Sequence, residues 1–356
     1  MKLKQDFSQN SRDIKILETV YDYRYMSVEL LVALLGEPPD PDRQYGFSES
    51  ALRARCQKLR MHGYLKWQFL HDLPTGRGYH TARPAVYSLG PAAIPTISER
   101  NGIEQNELRT IIKRNTVGSF FLRHSLGISK FRVCLTLACR ETQKTNASQD
   151  GKTIEIGAWF QEGLNDKVTV LTEGVPETIP VAPDAFFSLI VTEPGGKRKV
   201  SHFALEYDRG TMPMTDIVRK ARGYWHYLDQ KLYRRKYTYA GSSAEQARLR
   251  IVSADWDNIS ADNRKKILDF SIKGFQVLFV SCAIRQDGSR NSPLGDVKKS
   301  RRQSMIEAIR RIPEIRKSTK RFKFVEEDVV YGIQSPIGIL YSDWMILEGK
   351  CQLLPS

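Results

Sequence analysis

Asp184, Glu206 and Asp208 are acids set where a strand pattern would bring them together. Residues 181–211 read VAPDAFFSLIV, then TEPGGKRKV, then SHFALEYDRGT. The first run is rich in Phe, Leu, Ile and Val. The last alternates Phe203, Leu205 and Tyr207 with His202, Ala204 and Glu206, and Gly195-Gly196 supplies the reversal, so the spacing predicts an antiparallel hairpin. With the turn centred on Gly195, Asp184 and Glu206 fall opposite each other, about 5 Å apart at Cβ, and Asp208 shares the Glu206 face by the two-residue period. Opposed carboxylates are destabilising unless a cation or a proton lies between them. Mg2+, or Mn2+ in its place, takes one or two carboxylates with waters and phosphate oxygens, and such an ion activates water and neutralises charge on a phosphodiester. The bland alternative is a surface hairpin whose acids are solvated.

The pattern Pro183-Asp184, then Glu206-Tyr207-Asp208 after a hairpin, resembles the PD-(D/E)xK nuclease superfamily, whose first Asp and second acid hold the metal. That superfamily usually carries Lys two residues after the second acid, where this chain has Asp208. Some members supply the lysine from the next helix, and Lys220 is placed for that role.

The composition points to a polyanionic partner. In 356 residues there are 55 Lys plus Arg against 40 Asp plus Glu, a formal charge of +15, and 41% hydrophobic residues are enough for two globular domains. No stretch approaches the ~18 apolar residues that a membrane span needs, so nucleic acid rather than a membrane surface is expected. The opening MKLKQDFSQN has no apolar segment of the signal-peptide kind, and a cytoplasmic location is expected. Cys56, Cys134, Cys139, Cys282 and Cys351 are scattered without metal-ligand spacing, which suits reduced thiols and neither disulfides nor zinc.

The elements that must position these groups follow from periodicity. Ile14, Leu17 and Tyr21 form one helical stripe, Ser27 caps a second helix ending at Gly36, and a third helix starts near Ser48 or Ser50, buries Leu52, Cys56 and Leu59 and ends at Gly63. It leaves Arg53, Arg55, Lys58 and Arg60 for solvent or a ligand. Two strands flank a turn at Arg77, and the order resembles a winged helix-turn-helix, with the third helix in the major groove and the Arg77 hairpin along the backbone. The alternatives are a protein-interaction module or a solvated basic face. The proline-containing stretch PAAIPTISERNGIEQN reads as a linker, giving domains at 1–92 and 108–356 joined by 93–107.

In the second domain His124, Ile128, Phe131 and Leu135 share a helical stripe, so His124 faces either the core or a site. Strands are expected around Trp159 and Glu162. A long helix capped by Thr215 and running to about Arg235 carries Lys220, Tyr224, Tyr227 and Lys231 on one face. Strand, helix and strand over 249–283 would extend a mixed sheet. Residues 298–323 hold eleven basic side chains, among them Arg310, Arg311, Arg316 and Lys317, against Glu307 and Glu314. The segment is either a phosphate-binding surface or a solvated helix and loop. Closing strands are expected over 329–354.

Taken in order, the winged helix, His124, Trp159 and Glu162, Pro183-Asp184-Ala185, Leu205-Glu206-Tyr207-Asp208-Arg209-Gly210-Thr211, Lys220 and Tyr224 resemble the replication-relaxation family, plasmid and mobile-element proteins similar to C-type mobilisation relaxases. The resemblance extends to about Ala283. It implies a mixed α/β chain, a winged helix followed by a restriction-endonuclease-like domain with a mixed central sheet. It also implies a Mg2+-dependent DNA endonuclease or relaxase nicking double-stranded DNA at an origin, with Asp184, Glu206 and Asp208 on the metal and Lys220, His124, Glu162 and Tyr224 in the site. A second copy of the chain and mobilisation or replication accessory proteins are further candidate partners. Two other readings stay open, a DNA-binding initiator or regulator with an inactive nuclease fold, and a restriction or defence nuclease. With fifteen tyrosines, a covalent tyrosine mechanism also stays open.

Overall fold

The computed structural model describes residues 8–36, 48–70, 85–115, 117–144, 151–172, 174–240, 248–252, 256–281, 300–316, 320–331, 338–341, 343–347 and 349–353. The chain forms two compact units, Met1–Val133 and Cys134–Ser356.

The first unit begins with α1 (Ser11–Tyr23), whose start is fixed by a reciprocal cap. The Asn10 side chain accepts from the Asp13 N–H, and the Asp13 carboxylate accepts from the Asn10 N–H. A short strand β1 (Met26–Ser27) leads into α2 (Val28–Leu35), capped by Ser27 as expected, and Ser48 caps α3 (Glu49–Met61). β2 (Leu65–Phe69) and β3 (Ala85–Leu89) follow, and the antiparallel sheet has the order β1-β3-β2. Leu52, Cys56 and Leu59 of α3 are buried as expected, whereas α1 buries Ile16, Leu17 and Val20 and leaves Ile14 and Tyr21 of the expected stripe half-buried. Arg77 lies outside the described residues.

The expected linker is structured. Pro91–Ala93 forms a short 3-10 turn, α4 (Ile94–Asn101) and α5 (Gln105–Arg114) follow, and they bury Ile94, Ile97, Leu108 and Ile112. Proline at a helix start costs nothing because its missing N–H has no partner there in any case, so Pro91 and Pro95 open helices instead of marking an unstructured boundary. α6 (Ser119–Gln143) runs across the division between the units.

The second unit is built on a seven-stranded mixed sheet. Its strands are β4 (Thr153–Phe160), β7 (Ala185–Thr192), β8 (Arg198–Asp208), β11 (Gln276–Ser281), β12 (Phe322–Glu326), β13 (Trp344–Ile346) and β14 (Gly349–Cys351), in the order β14-β13-β12-β11-β8-β7-β4. β8, β11 and β12 are parallel, and the remaining pairs antiparallel. A separate hairpin pairs β5 (Asp166–Thr172) with β6 (Val175–Val181), and another pairs β9 (Tyr237–Ala240) with β10 (Arg248–Ile251). β6 is not among the strands expected from the sequence, and its Pro176 and Pro180 fit because in a two-stranded ribbon each strand has an unpaired edge that tolerates proline. β10, expected in the central sheet, pairs only with β9 among the described residues.

One face of the sheet supports two helices, α7 (Met214–Asp229) and α9 (Arg301–Arg310), with α8 (Ala261–Asp269) elsewhere in the unit. Ile217, Ala221, Tyr224 and Leu228 of α7 and Met305, Ile306 and Ile309 of α9 pack with Phe186, Ala204, Val277, Phe279, Phe322 and Phe324 of the strands. Each large apolar side chain so buried contributes roughly 1.5–3 kcal/mol. α7 starts after Pro213 with no side-chain cap, rather than being capped by Thr215, and ends at Asp229, and Lys231 lies beyond it with φ +56°. The basic run 298–323 is therefore not one solvated surface. It contains the core face of α9 and the first residues of β12, where Lys323 is buried with Nζ donating to the carbonyls of Gln352 and Leu353. Among the described residues no helix is long and apolar enough to cross a membrane.

Candidate active site

The hairpin of β7 and β8 has the register its turn predicts. Ala185 pairs with Leu205 and Thr192 with Arg198, which sets Asp184, one residue before β7, opposite Glu206. The turn closes through Gly196 N–H to Glu193 O at 2.8 Å, with Gly196 at φ +80°, a conformation that favours glycine. Asp184 is held by backbone: its N–H donates to Leu205 O at 2.9 Å and its Oδ2 accepts from the Tyr207 N–H at 2.8 Å.

Glu206 is 3% exposed on the face covered by α7. The Lys220 ammonium donates to Glu206 Oε2 at 2.5 Å, and the Tyr224 hydroxyl donates to Oε1. Lys220 and Tyr224 are one turn apart on α7, so one helical face delivers both donors. Burial pushes the Glu206 carboxyl up to about 7; Lys220 works against the shift and Asp184 reinforces it. For Lys220 burial opposes the charge, but the carboxylates of Glu206, Asp184 and Asp208 outweigh it and hold the ammonium above its ordinary value. Burial and the neighbouring carboxylate raise the Tyr224 phenol well above the usual tyrosine range, which keeps it a proton donor.

Asp208 is on the same strand face, two residues on, and 5% exposed. Its Oδ2 accepts from Arg301 Nε at 2.7 Å and its Oδ1 from the Gly210 N–H at 3.1 Å. Of the three acids expected to share a metal, Asp184 and Glu206 are thus brought face to face, while Asp208 is engaged by Arg301. Among the described residues no three His, Cys, Asp or Glu side chains converge as a metal set.

Glu162 is exposed in the turn after β4, where the register Phe160–Phe186 extends toward the Asp184 end of β7. His124 is half-buried on α6 in the first unit, its ring 6.3 Å from that of Phe121, with Ile128, Phe131 and Leu135 buried along its stripe. Arg219 and Arg222 turn away from Glu206, as the helical period requires, and both pair with Glu177. A cleft of about 570 Å³ at the other end of β8, lined by His202, Tyr239, Phe270 and Lys273, contains none of the expected catalytic residues.

Of the basic candidates, Arg53 and Lys58 are exposed on α3, Arg53 pairing with Glu49 at 2.8 Å, and Arg60 lies over the Trp67 ring at 4.4 Å. Arg55 is not left for a ligand. It forms a two-pronged ion pair with the fully buried Asp13, because a carboxylate removed from water needs a cation. In the second unit Arg310 Nε donates to Leu347 O, and Arg311 and Arg316 are exposed; Lys317 lies outside the described residues. Arg301, in the sequence one cation of the basic run 298–323, is the residue that meets Asp208.

A family model described as replication-relaxation matches residues 17–241, which takes in both α3 and the Asp184–Glu206–Lys220 cluster. No curated protein and no solved structure matches the chain.

Proposed function

The chain belongs to the replication-relaxation family, and from that premise we propose that it is a metal-dependent DNA endonuclease that nicks or relaxes DNA in plasmid or mobile-element replication or mobilisation. The observation that carries this reading is the buried Glu206 lying opposite Asp184 with Lys220 on its carboxylate. Two facing carboxylates suit Mg2+ or Mn2+, which completes its shell with water and phosphate oxygens. Asp184 and Glu206 would hold the ion, and when bound it supplies Lewis acidity and a more acidic water for phosphodiester hydrolysis.

The protein's own groups have distinct tasks. The backbone bonds to Asp184 fix its carboxylate, so little reorganisation accompanies binding. Tyr224, buried and protonated, orients Glu206 and is a positioning residue; a covalent role for this hydroxyl is disfavoured by its burial. The Lys220 side chain, 31% exposed, is the cation available to the negative charge that builds on the phosphate. Its ammonium meets Glu206 from α7, whereas the second-acid-x-Lys pattern takes its lysine from the strand itself.

The helix, strand, helix, helix, strand, strand order of the first unit supports a winged helix in which α3 meets the major groove through Arg53 and Lys58. Supercoiled plasmid incubated with purified protein and Mg2+ tests the whole reading. Nicked circles that fail to form with EDTA or with Asp184→Asn are expected. A mobility shift with no cutting in Mg2+ or Mn2+ would overturn the nuclease assignment in favour of a binding-only protein.

A further inference from the structure

The ion pair between Asp208 and Arg301 is the second couple of its kind on β8. Glu206 faces Lys220 from α7, and Asp208 faces Arg301 from the first turn of α9. The two acids are about 6.6 Å apart along the strand at ~3.3 Å per residue. Arg301 is anchored on two of its three nitrogens, Nε on Asp208 Oδ2 at 2.7 Å and Nη2 on the Met212 carbonyl, while Nη1 makes no hydrogen bond among the described residues and 22% of the side chain is exposed. Three features make the anchor rigid. Asp208 is itself fixed by the Gly210 N–H, Ser300 caps α9 by accepting from Gln303 N–H, and Met305, Ile306 and Ile309 are buried in the core.

We propose that Arg301 is a phosphate-binding residue of this site and that Asp208 is the positioning residue that aims it rather than a ligand of the metal. A guanidinium has five N–H donors in a planar fork, so one edge can be tethered while the other engages a phosphate oxygen. Side-chain freedom already removed by the tether is not lost again on binding. Arg301 meets Asp208 at the carboxyl ends of the parallel strands β8, β11 and β12, the end at which ligands bind in open α/β sheets. The second position after Glu206 thus still serves a cation, through an acid that recruits one. Arg301 lies outside the matched residues 17–241, so the family relationship does not assign it. This inference rests on the phosphodiesterase reading of the Asp184–Glu206 pair.

The test uses the full chain and two readouts that need no cleavage. Affinity for a short fluorescent DNA duplex is measured in EDTA across a NaCl series, and Mn2+ binding is measured on the protein alone. Arg301→Gln should lower the slope of log affinity against log salt by about one, the signature of one lost phosphate contact, with Mn2+ affinity at the parental value. Asp208→Asn should also keep parental Mn2+ affinity, in contrast to Asp184→Asn. Both Arg301→Gln and Asp208→Asn should cut Mg2+-dependent cleavage by roughly a hundredfold, as expected for loss of one electrostatic donor. An unchanged salt slope in Arg301→Gln, or loss of Mn2+ from Asp208→Asn to the extent seen with Asp184→Asn, would overturn the proposal. If Arg301→Gln melts below the assay temperature, Arg301→Lys decides. Its compact ammonium keeps the charge but not the planar fork that spans Asp208 and a phosphate oxygen, so cleavage at least tenfold down on an unchanged slope supports the proposal and a parental rate sinks it. Should the parent bind DNA but never cut it, the nuclease reading fails while the salt slope still judges Arg301.

Discussion

Asp13 in the first unit and Glu206 in the second are both almost completely buried, and the two carboxylates are treated in opposite ways. Asp13 in the first unit is 0% exposed, with both oxygens on the Arg55 fork and Oδ2 also on the Asn10 N–H. One acid meets one cation, and the cap of α1 is completed at the same time. Glu206 in the second unit is 3% exposed and also has two side-chain donors, but Asp184 faces it, so two acids share one ammonium. Burial alone therefore does not mark a functional acid. The excess of acid over cation at Glu206 is the feature on which the proposed function rests.

The sharpest break of this contrast is at the acids themselves. Asp184→Asn or Glu206→Gln should lower Mg2+-dependent cleavage by about a thousandfold or more, because each removes a metal donor. DNA affinity should stay near the parental value and melting temperature should hold or rise. Parental turnover in either variant would place the chemistry elsewhere.

Asp13→Ala should do the reverse. It strands the Arg55 charge and removes a cap, costing about 3–5 kcal/mol, seen as faster amide exchange across α1 and α3. Unaltered protection there would mean that the pair contributes nothing.

Lys220→Ala is expected to slow cleavage by about a hundredfold, ~2.7 kcal/mol, with Lys220→Arg recovering part of the loss since a planar fork replaces a compact ammonium poorly. If Arg219→Ala were crippled while Lys220→Ala cut normally, the cation on Glu206 would be a counterion only.

His202 shows a third way of burying an ionisable group, by leaving it neutral. Burial pushes its imidazole down to about 4, with Tyr239 on Nε2 at 2.8 Å. The unfolded chain protonates near pH 6.5 and the folded chain does not, so the stabilisation is complete above pH 6.5 and declines as pH falls toward 4, by at most ~1.4 kcal/mol per unit. His202→Phe should flatten that part of the urea-stability profile, and an unchanged pH dependence would assign it to other groups. The smallest effect concerns the exposed neighbours of Arg55 on α3. Charge reversal at Arg53 and Lys58 should weaken preference for a specific site more than affinity for random duplex, by a few fold per position, and equal losses on both DNAs would remove α3 as the reading helix.

The face-to-face acids were legible because a hairpin converts spacing into geometry: once Gly195-Gly196 is the turn, the register sets Asp184 opposite Glu206. Lys220 was legible for a similar reason, since a helix begins a few residues after the strand and its period selects the face. Arg301 was not, because it is separated from Asp208 by 93 residues and lies among cations that composition alone cannot rank. Arg55 was misjudged as a ligand-facing residue because its partner Asp13 lies on another helix. Nor does local pattern reveal that Pro91 and Pro95 open helices, or that β6 tolerates two prolines, since both depend on which backbone N–H groups have a partner.

The central place of β8 has a practical consequence. Its edges are covered by β7 on one side and β11 on the other, and β11 begins at Gln276, well past residue 241 where the family match ends. A fragment cut at that boundary would keep Asp184, Glu206 and Lys220 yet leave the longest strand of the sheet with a bare row of N–H and C=O groups, a template for pairing with other copies. Such a fragment should be recovered as aggregate, and an expression trial guided by the matched residues alone would mistake a missing neighbour strand for an insoluble protein.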